Sequence, residues 1–239
     1  MESVLKKLCL CLAVLVVARA PAQHDWIGAN ASTWNNPGSA LISTMVWNEQ
    51  WSQITKQELK SGKLKAHAGV TQTTYQPSSS TTPELLAKAL GNKPELKKRL
   101  LKFFKESLDF WKTYSRHMNR EGDLGLAFAF FTGASIGLNR DQDVGEKQIG
   151  RLAGQFDALL AKIPKLQAAG DAAKQRIAET LACITVFELA GYQEGTKQNK
   201  PEVVDQFRQF AGKCVKSLLG LPIESLKLDD EGVLSVERE

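Results

Sequence analysis

The chain has 239 residues, 43% of them hydrophobic and 24% charged, with a formal net charge of +5 at pH 7. That length suits one substantial hydrophobic core and leaves two separate domains cramped. The excess charge is modest and partly supplied by Lys6, Lys7 and Arg19 near the start, so nothing in it calls for nucleic acid as a partner.

In chain order, the first element is a leader. Lys6 and Lys7 precede an unbroken apolar run from Leu8 to Val17, and small residues follow at Ala18, Ala20 and Ala22. Charge, apolar core and small residues in that order are the marks of a secretory signal peptide, here residues 1–22. The apolar run is about half the roughly 20 residues that a membrane-spanning helix needs, so the processed chain is expected to hold no stable transmembrane segment. Cutting after Ala20 would leave Pro21 at the junction, which favours the cut between Ala22 and Gln23. Cys9 and Cys11 lie inside the apolar run, too early to carry a lipid at a cleavage junction.

Residues 23–81 read as a polar N-terminal arm and linker. They carry Trp26, Trp34, Trp47 and Trp51 and close on a Ser/Thr-rich stretch after Pro77. Trp47, Trp51 and Ile54 follow helical spacing, which suggests a short helix from about Ala40 to Leu59. Trp47 and Trp51 can serve as partner-binding aromatics or as anchors that tie the arm to the rest, anchoring being the preferred reading. Asn30-Ala31-Ser32 matches a glycosylation acceptor, which matters only in a eukaryotic secretory pathway.

From Thr82 onward, residues 82–239 read as an all-α array of about six helices with a small C-terminal β-hairpin. Thr82 and Pro83 open a short helix that Gly91 stops in a left-handed turn. Asn92 and Glu95 resemble a capping box for a second helix, which Gly122 ends and in which Leu100, Phe103, Phe104, Leu108, Trp111 and Tyr114 share a face. Asp123 caps a third, Leu124 to Leu138, apolar almost all round and containing Gly133 and Gly137, so a close neighbour is expected to hold it. Ile149, Leu152, Phe156 and Leu159 trace a fourth, stopped at Pro164. Asp171 caps a fifth, Ala172 to Tyr192, apolar on every side in its middle, and a sixth begins at Asn199 with Val203, Phe207, Phe210 and Cys214 on one stripe. The third and fifth should be central. Leu226-Lys227-Leu228 and Val233-Leu234-Ser235-Val236 flank Gly232 as a hairpin that must lie on the helices to persist.

Chemistry is sparse. His24, His67 and His117 are far apart with no ligand-spaced acid or cysteine, and no zinc motif, phosphate-binding glycine loop or nucleophile elbow occurs, so neither metal nor cofactor is expected. After the leader only Cys183 and Cys214 remain; an oxidising compartment would let them pair, while the alternative is two free thiols in the core. At about 1.5 Å per residue they could reach similar heights on antiparallel neighbours. Glu188 lies on an apolar helix, where burial would raise its pKa and suit it to acid–base work; the plainer reading is a partly exposed or Arg-paired glutamate. Lys93, Lys97, Lys98, Arg99, Lys102 and Lys105 could meet an anionic glycan or lipid head group, against the plainer reading of a solvated helix face.

Thr74-Tyr75-Gln76-Pro77-Ser78, Gly122-Asp123-Leu124, Lys174-Gln175 with Glu179, and Leu219-Gly220-Leu221-Pro222 running to Gly232-Val233 resemble an uncharacterised family of exported bacterial helical proteins, a domain of unknown function, over roughly residues 75–236. The resemblance brings no activity and no site residue. The expectation is a periplasmic or extracellular binding or interaction module with no catalytic residue. An envelope enzyme whose Glu179, Glu188, His117 or Arg116 converge only in three dimensions is the first alternative, and a membrane-active helical protein the second.

Overall fold

A computed structural model describes residues 40, 48–61 and 73–237. Eight α-helices occur among them: α1 (Asn48–Ser61), α2 (Thr82–Leu90), α3 (Pro94–His117), α4 (Leu124–Arg140), α5 (Glu146–Leu160), α6 (Pro164–Gln167), α7 (Asp171–Lys197) and α8 (Pro201–Leu219). A two-stranded antiparallel sheet follows, β1 (Leu226–Leu228) with β2 (Leu234–Val236). The six helices expected from periodicity are α2 to α5, α7 and α8. The tryptophan helix α1 and the single turn α6 complete the set.

Helices α4 and α7 are central, as their lack of a polar face requires: α4 packs on α5, α7 and α8, while α7 packs on α2, α3, α4 and α8. Phe187 of α7 is the hub of one half of the core. Its ring lies 5.9 Å from Phe103 of α3 and 5.6 and 6.0 Å from Phe207 and Phe210 of α8, at the edge-to-face angles that aromatic quadrupoles favour. The close neighbour expected at the α4 glycines is α5 for Gly133, where a Cβ would stand 2.5 Å from Ile149 Cδ1, and the following loop for Gly137, where it would stand 2.7 Å from Gln142 O.

Several ends differ from the sequence expectation. Asp123 does cap α4, its carboxylate accepting from Leu126 N at 3.0 Å. But α2 stops at an extended Gly91 (φ −91°), and α3 starts after Lys93 with Pro94 in its first turn and no side-chain cap, so the Asn92 capping box does not form. Proline's fixed φ serves instead. Helix α3 ends at His117, five residues before Gly122, because Asn119 already takes a left-handed φ of 54°. Gly170, not Asp171, is the N-cap of α7, and α7 continues to Lys197 rather than Tyr192. Lys200 rather than Asn199 caps α8.

The hairpin lies on the bundle, with Leu226, Leu228 and Leu234 buried beneath it. Arg140 at the end of α4 donates to Leu226 O (2.5 Å) and Glu224 O (3.2 Å), and Gln155 of α5 accepts from Leu234 N at 2.9 Å. These bonds occupy backbone groups that so short a ribbon could not satisfy alone.

Candidate functional site

The stretch before α2 that reads as a linker is a strap fastened along α7. Its backbone and hydroxyls are gripped at alternate residues: Gln76 N donates to Asp171 Oδ2 (3.1 Å), Ser78 N to Gln175 Oε1 (2.9 Å), and Ser80 Oγ to Glu179 Oε2. Gln175 also donates from Nε2 to Ser78 O at 2.9 Å, so one side chain holds both backbone groups of one residue. Lys174 Nζ reaches Thr74 O at 3.4 Å, and Thr82 Oγ1 donates to Glu179 Oε2 at 2.7 Å. The pairing works because two extended residues advance about 6.6 Å while four helical residues advance about 6 Å, so residues 76, 78 and 80 keep step with 171, 175 and 179.

At its start the strap meets a buried charge cluster. Thr73 Oγ1 donates to Asp157 Oδ1 (3.0 Å); Asp157, on the core side of α5, pairs with Arg120, which also holds Asp123 Oδ2 at 2.6 Å. Asp157 is 1% exposed and Asp123 7%. Two carboxylates share one guanidinium, so burial first and the charge of Asp123 second push the Asp157 carboxyl up to about 6, against the opposing pull of Arg120 and Thr73. Asp157 can approach only because residue 125 lacks a side chain: a Cβ on Gly125 would stand 2.1 Å from its Oδ1. Beside it Tyr75 N donates to Gly122 O at 2.8 Å, and Gly122 has a φ of +70° that other L-residues rarely adopt. Thr74–Ser78, Gly122–Leu124 and Lys174–Glu179, distant in sequence, thus form one polar seam.

A second buried polar group lies deeper. Glu188 is fully buried on α7 and accepts from Ser135 Oγ of α4 at 2.9 Å, while its Oε1 has no hydrogen-bond partner among the described residues. Burial holds this carboxyl well above its ordinary range, only partly opposed by Ser135. Neither Arg151 nor Arg176 is its partner; Arg151 pairs with Glu231 at 2.5 Å.

The residues proposed for a convergent acid–base site stand apart. His117 pairs with Glu146 at 3.3 Å and Arg116 with Glu121 at 2.8 Å, both on the surface, while Glu179 grips the strap and Glu188 sits in the core. Cys183 and Cys214 are free thiols, both buried. Cys183 Sγ donates to Phe104 O at 3.8 Å. Burial pushes both thiols up, away from the reactive thiolate. Trp51 is 3% exposed, its indole N–H donates to Leu218 O, and its ring lies 5.3 Å from Phe128, so it anchors α1. Trp47, His24, His67, Asn30 and the leader lie outside the described residues. Lys93, Lys97, Lys98, Arg99, Lys102 and Lys105 are exposed along α3, with Lys105 paired to Glu84 at 3.1 Å.

Sequence reasoning missed Thr73, Arg120 and Asp157. The signal for Asp157 was an aspartate directly after Phe156 in an otherwise apolar stripe. Among the described residues no group of three or more His, Cys, Asp and Glu is placed to hold a metal ion, and no helix is long and apolar enough to cross a membrane.

No curated protein and no solved structure matches the chain. The model of a family of unknown function (DUF6683) matches residues 4–235, and the chain belongs to that family.

Proposed function

We propose that the chain is an exported, non-enzymatic binding or interaction module of a bacterial envelope, acting in the periplasm or outside the cell. The observation that supports this is how the seam uses its ionisable groups. Arg120 is occupied by two carboxylates, and Glu179 accepts from Ser80, Thr82 and Gln175, so these groups hold the strap to the bundle rather than face a substrate. The strap and the Trp51-anchored helix α1 thus tie the described part of the N-terminal arm to the bundle, which suits a rigid surface that meets partners. The leader expected at residues 1–22 supplies the route out.

Fractionation of cells making a C-terminally tagged chain, with mass measurement of the product, tests the reading. A processed chain starting at Gln23 in the envelope or medium, cross-linked there to a partner, is the expected result. An unprocessed chain in the cytoplasm would sink it.

A further inference from the structure

The seam accounts for the buried charge, but not for the largest concentration of exposed charge, at the turn between α2 and α3. Lys88, Lys93, Lys97, Lys98, Arg99 and Lys102 lie within fifteen residues whose one acid is Glu95. Their excess of five positive charges equals the net charge of the whole chain. All six are exposed, and none forms an ion pair among the described residues. The arrangement runs against the helix that carries it. Lys93 with Lys97 and Lys98 with Lys102 are like-charge neighbours one turn apart, and Lys93 and Lys97 stand at the positive end of the α3 dipole. Glu95, one turn before Lys98 and Arg99, and Glu106, one turn after Lys102, offset only part of that repulsion, and an anionic partner outside would offset the rest.

The shape selects the partner. At helical spacing Lys98 and Lys102 share the stripe of α3 opposite its buried face, flanked by Lys97 on one side and Arg99 on the other, so the charge is spread out rather than gathered on one small anion. Five of the six are lysines, compact point charges rather than the planar forks that read single carboxylates or phosphates. Leu85, 45% exposed, is the large hydrophobic side chain left in solvent among the described residues, one turn before Lys88 on the outer side of α2. A run of basic residues together with an exposed apolar side chain on the preceding helix fits an anionic lipid surface, with the leucine entering the head-group boundary. We infer that the α2–α3 turn docks the protein on an anionic membrane surface. This names the partner of the binding module proposed above and rests on that reading.

The test is co-sedimentation with vesicles of phosphatidylglycerol and phosphatidylcholine, against phosphatidylcholine alone, for the full chain and its variants. Binding to the anionic vesicles that falls with added salt is expected. The triple variant Lys97→Glu, Lys98→Glu, Lys102→Glu should bind at least about a hundredfold more weakly, since each lysine near such a surface is worth roughly a factor of five to ten. Leu85→Ser should weaken vesicle binding while leaving binding to soluble heparin unchanged. Reversing Lys197, Lys213 and Lys216 on the exposed sides of α7 and α8 should have far less effect. Circular dichroism confirms that each variant is folded, and the salt titration of the unaltered chain needs no variant at all. Binding indifferent to salt, equal losses from both triple reversals, or attachment to heparin but not to vesicles would each overturn the inference. A cytoplasmic, unprocessed chain would instead sink the exported-module reading, which the purified assay does not touch.

Discussion

The two halves of α7 solve opposite problems. From Asp171 to Glu179 the helix turns polar side chains toward a neighbouring backbone and supplies the hydrogen bonds that backbone would otherwise take from water. From Leu181 to Glu188 it is dry, with Phe187 set among aromatic rings from α3 and α8. The first half determines where a segment lies; the second buries apolar side chains in the core. One helix thus joins a specific, weakly held contact to a strong, unspecific one, and mutations in the two halves should differ in kind as well as size.

The largest effect belongs to the dry half. Phe187→Ala removes the ring shared by three helices and should cost about 3–5 kcal/mol in urea-induced unfolding, with one cooperative transition retained. Next is the charge cluster at the head of the strap. Arg120→Ala leaves Asp123 and Asp157 facing each other without a counter-charge and should cost about 3 kcal/mol in the same measurement. The cluster also has a pH signature. Because the folded-state pKa of Asp157 lies above its ordinary value, the folded protein binds that proton more tightly, so this group's contribution to stability rises as pH falls from about 6 toward 4. Asp157→Asn should flatten that part of the profile.

Gln175→Ala should be smaller and local. It releases both backbone groups of Ser78, worth about 1–2 kcal/mol, and should speed hydrogen exchange at the Ser78 amide while the amides of Leu181 to Phe187 stay protected. Global unfolding that shifted as much as in Phe187→Ala would erase the distinction between the halves. The smallest effect at acidic pH is Glu188→Gln, within about 1 kcal/mol of the parent, since burial favours the neutral carboxyl that glutamine resembles. As pH rises above the ordinary glutamate range the parent should lose stability and the variant should not, so the gap should turn in favour of glutamine.

The dry half was legible in advance and the strap was not. Apolar residues at helical spacing marked α4 and α7 as central, and a run such as Leu181 to Phe187 admits no other placement. Asp123 was readable as a cap because a cap is a local event. The strap residues are Ser, Thr, Gln and Pro, whose composition is that of a free linker; what makes them a strap is a set of partners about a hundred residues away. Asp157 was hidden for the same reason, since its meaning depends on Arg120, Thr73 and the bare backbone at Gly125. The missed helix ends, at Asn92 and Gly122, were cases where proline or a left-handed asparagine did the work assigned to a neighbouring residue.

The fit between strap and helix also limits itself. Each step of two strap residues overshoots each step of four helix residues by about 0.6 Å, like the two scales of a vernier, so three pairings accumulate about 1.2 Å of slip. A fourth would add about 0.6 Å more. The chain leaves the ladder at that point: Thr82 returns to the same Glu179 that already holds Ser80, and α2 begins. Deleting one residue from the strap would exchange the faces of every grip point that follows.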